Sequence, residues 1–565
     1  HVDGTFEGPV NDGIRFLNET PLAGITSRVA EHWSGAGDMQ GAARLEIPIG
    51  TDAAARAALT DVDLLLSDNA IEMPDFDLVI DRLDGLIRYQ NESGLTSSDL
   101  TGRLFERPVS GTIATTSGDN TAIRFDVAGR VTAEALYAWT DQPILSRASG
   151  ESAYEATLFV PQGEVGVAPG EGIEGIEGVK GVKGDNVVGD APDASLASPW
   201  IEVTSDLAGI ELRLPHPLGV TREGSANLRY RHVFDSVQEI AVALNDDFAV
   251  TMHVDDDQLT AARAHFGPRA KPLAPGDGIL ITGVIDQVDY HAWEVLMEDL
   301  EAISDPSMSS ELIDALTAIE LKAGILHAYG VDLEDASARV TRAGATWQIE
   351  LANEMLRGVL GVPDAAAEPV SVHLDYLRVD ADEESPDPMA DVVPQQLGPM
   401  VVSIDEFRLD DEDYGKWSFH FSPTRDGGYV DQLEAEVRGL LLQADSRLYW
   451  DHADGRHSTR YEGTVVAPDL GLALRGWGYA SSIEGDNFQF RPFLNWEGSP
   501  AMIDMKTVGG TMRLDAGEGR FVQVESAGAL KLLGIFDFSS IARRFRFDFR
   551  DVTNEGYTFS KIEGD

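Results

Sequence analysis

Apolar side chains recur at every second position along most of this 565-residue chain. A period of two puts them on one face of a strand and their neighbours on the other. Leu45, Ile47 and Ile49 alternate in this way, as do Ile123, Phe125 and Val127. Ile240, Val242 and Leu244 form one run, and Phe248, Val250, Met252 and Val254 form the next. The polar turn Asn245-Asp246-Asp247 between them predicts a hairpin. Val340 precedes a turn at Gly344, and Trp347, Ile349 and Leu351 follow it. Val370, Val372, Leu374 and Tyr376 continue the pattern, and Trp417, Phe419 and Phe421 lead into Asp426-Gly427-Gly428. Phe488, Phe490, Leu494 and Trp496 share one phase, and Phe545, Phe547 and Phe549 close the series. The pattern predicts a mainly β protein with one apolar face per strand.

Helical spacing is rare. Trp293, Leu296, Met297, Leu300 and Ile303 follow Asp289, a suitable N-cap, and predict a helix near 289–303. Leu312, Ile313, Leu316 and Ile319 follow Ser309 and Ser310 and predict a second near 308–320. Leu22, Ile25, Val29 and Trp33 suggest a third, and the run from Ala529 to Leu533 a short fourth. Regular strand–helix alternation is missing, which argues against a doubly wound sheet and for helices that cover a β structure. Residues 163–190 contain Gly172-Ile-Glu-Gly175-Ile-Glu-Gly178-Val-Lys-Gly181-Val-Lys-Gly184. So few triplets without proline do not sustain a triple helix, so this stretch reads as a loop inserted between two strands. Asp380 to Asp391, with Pro386 and Pro388, reads as an acidic linker. These landmarks divide the chain into sections 1–225, 226–395 and 396–565.

Charge narrows the function. The 43 basic and 96 acidic side chains leave a net charge of −53, which repels a phosphate backbone and argues against nucleic acid as a partner. The cationic residues are 35 Arg and 8 Lys. An acidic, Lys-poor surface suits a salty medium, where screening relieves self-repulsion. Cysteine is absent, which removes thiolate metal sites and a thiol nucleophile. No apolar run approaches the length of a membrane-spanning helix. The chain opens at His1 in what reads as mid-domain sequence, so it is expected to be a fragment of a longer protein.

Local motifs yield no chemistry. Gly170-Glu-Gly172-Ile-Glu-Gly175 matches a nucleotide-binding spacing but lies in the Gly-rich stretch, with two carboxylates where phosphates would sit. Asp410-Asp411-Glu412-Asp413-Tyr414-Gly415 starts like a calcium loop, yet Tyr414 and Phe421 occupy ligand positions, so a surface turn is expected. His452 and His457 flank a glycine-containing turn and read as turn residues. The expectation is a protein that is not an enzyme, with no catalytic residue, cofactor or metal.

Four segments carry a resemblance. The C-terminal stretch runs Asp515-Ala-Gly-Glu-Gly-Arg520-Phe521, Ala529-Leu530-Lys-Leu532-Leu533-Gly534, Arg543-Arg544-Phe545-Arg-Phe547-Asp548-Phe549-Arg550-Asp551 and Glu555-Gly556-Tyr557-Thr-Phe559. Before it stands the turn Leu494-Asn-Trp496-Glu-Gly498-Ser499-Pro500. Further upstream are Asp206-Leu207-Ala-Gly209-Ile-Glu-Leu212-Arg-Leu214-Pro215-His-Pro217-Leu218-Gly219 and Asp68-Asn69-Ala-Ile71-Glu-Met-Pro74-Asp75-Phe76-Asp-Leu78, the latter followed by Leu104-Phe105-Glu-Arg107-Pro108-Val109. In this order they resemble the YhdP family of AsmA-like envelope proteins of Gram-negative bacteria. The resemblance implies an elongated, twisted antiparallel β-groove, anchored in the inner membrane and crossing the periplasm. It implies that the groove's apolar interior moves phospholipid between inner and outer membranes, without catalytic residues or cofactor.

The alternating residues fit such a groove, because burial of an acyl chain is non-directional and gains about 0.8 kcal/mol per methylene. Val250, Met252, Leu374, Trp417, Phe419, Phe421, Phe545, Phe547 and Phe549 are the candidate groove residues. The expected partners are phospholipid acyl chains, the two membranes through parts outside this chain, and envelope proteins. A structural or assembly scaffold in outer-membrane biogenesis, acting through protein–protein contacts, is the alternative.

Overall fold

The computed structural model describes residues 2–19, 32–46, 59–90, 93–116, 122–161, 198–256, 258–267, 278–303, 315–328, 331–365, 367–379, 387, 389–390, 392–409, 411–479, 481, 483–501, 507–521, 546–547, 552–553, 556–559 and 562–564. Strands dominate, as the alternation predicts, and helices are few. The chain divides into two compact units: His1–Thr282 with Ala292–Ala315, and Gly283–His291 with Leu316–Asp565.

The first unit contains β1 (Val2–Pro9), β2 (Ser34–Ala36), β3 (Asp38–Glu46), β4 (Leu59–Met73), β5 (Leu78–Gln90), β6 (Gly94–Leu104), β7 (Arg107–Thr116), β8 (Ala122–Thr132), β9 (Ala148–Pro161), β10 (Trp200–Ser205), β11 (Ile210–Leu212), β12 (Leu228–Val233), β13 (Gln238–Leu244), β14 (Phe248–Asp255) and β15 (Gln258–Phe266), and β16 (Gly278–Asp289) begins in it. From β3 to β10 each strand pairs antiparallel with the next, and β12 to β15 continue from β10. The 240–254 hairpin forms as expected, with Leu244 opposite Phe248 and Asn245 in the left-handed region at φ 51°. Residues 163–190 lie outside the described residues. The strands on either side, β9 and β10, pair directly from Trp200–Phe159 to Thr204–Glu155. A long excursion there is tolerable because closure entropy grows only logarithmically with length.

The helices differ from the sequence expectation in instructive ways. Helix α1 (Val10–Glu19) was not foreseen; its Val10 and Ile14 are buried against Met39, Leu66 and Leu83. Helix α2 (Ala133–Thr140) is capped by the Thr132 hydroxyl, which accepts from Ala135 N at 3.2 Å. Helix α3 (Tyr290–Ile303) fulfils the expectation near 289–303. Its buried stripe is narrower than expected: Leu296 is buried and Trp293 meets Phe266 edge-on at 6.3 Å, but Met297 is 61% exposed. The helix expected near 308–320 is corrected from residue 316 onward. Leu316 and Ile319 belong to the strand Leu316–Ala328, which pairs antiparallel with Val331–Ala343 from Ile319 onward, and that pairing overrides a weak helical spacing. Leu312, Ile313, most of the 22–33 stretch and Ala529–Leu533 lie outside the described residues.

The second unit contains β17 (Leu316–Ala328), β18 (Val331–Ala343), β19 (Thr346–Ala352), β20 (Leu356–Pro363), β21 (Val370–Val379), β22 (Met400–Ile404), β23 (Phe407–Leu409), β24 (Glu412–Asp413), β25 (Lys416–Pro423), β26 (Gly427–Val437), β27 (Leu440–Ala453), β28 (Arg456–Glu462), β29 (Val465–Asp469), β30 (Ile483–Glu497), β31 (Gly509–Ala516) and β32 (Gly519–Phe521), then short strands up to Ile562–Gly564. The antiparallel order has one local exception here. β21 runs parallel to both β22 and β23. The chain leaves β21 at Val379 and re-enters the sheet at Met400, a separation long enough for the crossover that a parallel pair needs. Helix α4 (Leu470–Gly476), capped by Asp469 through Leu472 N at 2.9 Å, packs Leu470 and Ala473 against Phe488 and Ala516.

Candidate functional site

Residues directly opposite one another on paired strands point to the same face. In the first unit this places Val127, Ala156, Val203, Tyr230, Val242, Val250 and Ala264 in one row across seven strands. The neighbouring row on that face is Phe125, Leu158, Ile201, His232, Ile240, Met252 and Ala262. The interleaved row on the other face is Asp126, Thr157, Glu202, Arg231, Ala241, Thr251 and Arg263. One face is therefore apolar and the other polar. Val250 and Met252 both stand on the apolar face, partly buried.

The second unit repeats the division. Row one is Ile319, Val340, Ile349, Leu360, Val372, Val402 and Phe419. Row two is Leu321, Ala338, Leu351, Gly358, Leu374, Ile404, Trp417 and Ala435, and it runs on through Leu442, Val465, Phe490 and Leu514. Row three is Val370, Met400, Phe421, Val430, Leu448, Tyr461 and Leu494. The opposite face carries Glu320, Arg339, Glu350, Val359, His373, Ser403, Ser418 and Glu434. Leu374, Trp417, Phe419 and Phe421 thus share one apolar face, each on one of its three rows. Phe547 lies on the strand Arg546–Phe547 opposite Ile562, while Phe545 and Phe549 lie outside the described residues.

The first unit's sheet curls toward its apolar side. Phe76 precedes β5 and Phe234 follows β12, six pairings away, which is about 29 Å across a flat sheet. Their rings are nevertheless 5.8 Å apart, and Phe234 also meets His232 of the apolar face at 4.2 Å, with the rings tilted by 38°. Trp139 of α2 joins this gathering by donating its Nε1–H to the Phe76 carbonyl at 2.8 Å. Arg147, in the turn before β9, forms an ion pair with Asp299 of α3. The inner face is not uniformly apolar. His232 lies 2.7 Å through Nε2 from Gln238 Oε1, and Tyr230 OH lies 3.3 Å from its Nδ1. Burial pushes the His232 imidazole below its ordinary range, partly offset by the Gln238 bond, and burial raises the phenols of Tyr230 and Tyr154.

The second unit's apolar face is partly covered by its own chain. The described residues between Asp387 and Leu397 cross it as a strap that includes the short 3-10 turn Pro394–Gln396. Met389, Val392 and Leu397 of the strap pack on the cluster of Phe421, Val430, Leu433, Leu448, Trp450, Tyr461 and Trp496. Phe421 is 4% exposed, Trp450 2% and Trp496 4%, so the strap leaves this end dry. The Asp387 carboxylate accepts from Ser499 N at 2.8 Å, Ser499 Oγ at 2.6 Å and Met389 N at 2.9 Å. Gln395 Nε2 donates to the His452 carbonyl at 2.9 Å. His457 accepts the Trp450 indole N–H on Nδ1 at 3.0 Å and reaches the Ala390 carbonyl with Nε2 at 2.9 Å. The expectation that His452 and His457 are turn residues is corrected: they are ladder partners on β27 and β28, flanking the turn at Asp454-Gly455, and both hold the strap. Sequence reasoning missed this segment because three spaced apolar residues are submerged in an acidic, proline-containing stretch.

Among the described residues no group of His, Asp and Glu is arranged to hold a metal ion, and no helix is long and apolar enough to cross a membrane. Asp413 and Glu412 form a surface hairpin with Arg408 and Leu409. The Trp496–Pro500 turn is folded on itself by the Trp496 Nε1–H, which donates to the Ser499 carbonyl at 3.0 Å.

Comparison with known proteins agrees with the resemblance. The intermembrane phospholipid transporter YhdP of Escherichia coli (strain K12) is 27% identical over 130 residues, which is 22% of this chain and 10% of that protein. The matched stretch is thus a small part of the relative. No solved structure matches the chain. The family described as YhdP protein matches from residue 1 to residue 565, and the chain belongs to that family.

Proposed function

We propose that this chain is a section of a bridge-like lipid carrier that moves phospholipid through the periplasm between inner and outer membranes, anchored to the inner membrane by parts outside the chain. It acts by transport, not by catalysis. One observation carries the reading: in each unit the strand register collects apolar residues into continuous rows on a single face, with charged residues on the other. Twelve successive strands contribute to row two of the second unit. An acyl chain lying across such rows meets equivalent hydrocarbon at each strand, so it slides without breaking a directional bond. Val250, Met252, Leu374, Trp417 and Phe419 are the proposed lipid-facing residues, and Phe421 borders the path beneath the strap. The acidic outer face keeps the protein soluble and discourages edge-to-edge association.

The test is direct. Phospholipid should copurify with the intact protein and should crosslink from its acyl chains to Leu374, Trp417 and Met252. Protein that carries no lipid, but holds an outer-membrane protein stably in pull-downs, would replace this reading with that of an assembly scaffold.

A further inference from the structure

The strap occupies the place on row three that a ligand would take. Its Met389, Val392 and Leu397 cover the same side chains that an acyl chain would have to touch there. Two features distinguish a wall from a lid. First, Pro394 is fully buried and lies against Phe421's neighbour Gly428, where an added Cβ would meet Pro394 at 3.4 Å. Second, the strap is tied at separate points to β27, β28 and the turn after β30, by Gln395–His452, Ala390–His457 and Asp387–Ser499. Opening it would strand the Ser499 N–H and hydroxyl, the former in a residue that is 0% exposed, and would wet Trp450 and Trp496 together.

We propose that the strap is a permanent wall that withdraws row three from the lipid path and confines acyl chains to rows one and two. The inference rests on the lipid reading above and specifies which part of the apolar face the lipid uses. It makes Asp387, Gln395 and His457 positioning residues for the wall, and none of them touches lipid.

The experiment uses the intact protein loaded from phosphatidylcholine vesicles containing a phosphatidylcholine with a diazirine in its acyl chain. After irradiation the adducts are mapped by mass spectrometry, so no core residue has to be substituted. The expected result is adducts at Leu374, Phe419 and Trp417 and none at Val430, Leu448 or Trp450. Adducts at those three residues overturn the wall. A second arm exploits the absence of cysteine from this chain. The pair Asp387→Cys and Ser499→Cys, oxidised to a disulfide, locks the strap. Lipid transfer is expected to survive the lock, whereas transfer lost on oxidation and restored by reduction identifies a lid and overturns the wall. Absence of adducts on every row would instead sink the lipid reading itself, and the wall with it.

Discussion

The two units solve the same patterning problem with different interiors. The first unit's apolar face is punctuated by Tyr230 and His232 and filled out with alanines such as Ala156, Ala262 and Ala264. The second unit's rows hold larger groups, Phe419, Trp417 and Phe421, and the last of these lies under a strap. The first interior is therefore slightly polar and lined by smaller side chains, and the second is dry and partly sealed. A common alternation in the sequence fixes which face is apolar. It does not decide how much of that face stays available, which depends on residue size and on what crosses it.

The sharpest way to break this contrast is to cut into each interior. Trp450→Ala removes a side chain that is 2% exposed and frees the Nδ1 of His457. It should destabilise the second unit by about 3–5 kcal/mol, the range for deleting a large buried aromatic. Met252→Ala acts on a partly buried residue between Ile240 and Ala262 and should cost about 1 kcal/mol. Urea denaturation followed by tryptophan fluorescence measures both; equal losses would mean that the interiors do not differ in packing.

Charge insertion should separate the units next. Trp417→Glu puts a carboxylate between Ile404 and Ala435 on a partly buried apolar row, with no polar partner on that row, and an uncompensated charge there costs up to about 3–5 kcal/mol. Lipid that copurifies with the intact protein should be lost. Met252→Glu puts its carboxylate on a row that already carries a polar side chain, His232, two strands away, so part of the lipid should remain. Equal loss in the two variants would remove His232 from this account. Cutting the strap's main tie is a smaller perturbation: Asp387→Ala leaves the Ser499 N–H and hydroxyl without their acceptor and should lower the second unit's stability by about 1–3 kcal/mol. No change in the urea midpoint would show that the strap contributes nothing to that fold.

Much of this was legible in sequence, and the exceptions have physical causes. The 240–254 hairpin and the face shared by Trp417, Phe419 and Phe421 follow from period two alone, since register cannot slip by one residue without exposing the whole apolar set. The stretch from Leu312 to Ile319 misleads because Leu316 and Ile319 satisfy a helical spacing as well as belonging to a strand, and pairing with β18 decides the matter. The parallel entry of β22 beside β21 depends on where a long connection ends, which no local pattern encodes. The strap is hidden because Met389, Val392 and Leu397 become a hydrophobic surface only when Asp387 finds Ser499, 112 positions away. His232 escaped notice for a similar reason: alone in an alternating strand it reads as polar, and only the register places it between Ile201 and Ile240.

That histidine supplies the gentlest test of the contrast. Burial lowers its folded-state pKa from an ordinary value of 6.5. As pH falls through that value the unfolded chain binds a proton that the folded chain still refuses. Stability that is fully present above about 6.5 is therefore lost on acidification, down to the lowered folded pKa, with a slope of at most about 1.4 kcal/mol per pH unit. His232→Phe removes the titrating group while keeping a ring against Phe234. The first unit's unfolding transition should then depend less steeply on pH below about 6.5, and the second unit's should keep its own dependence unchanged. Urea midpoints of both proteins across that range make the comparison. A first-unit slope that survives the substitution would show that the polar interruption in its apolar face is electrostatically silent, and the two interiors would then differ in packing alone.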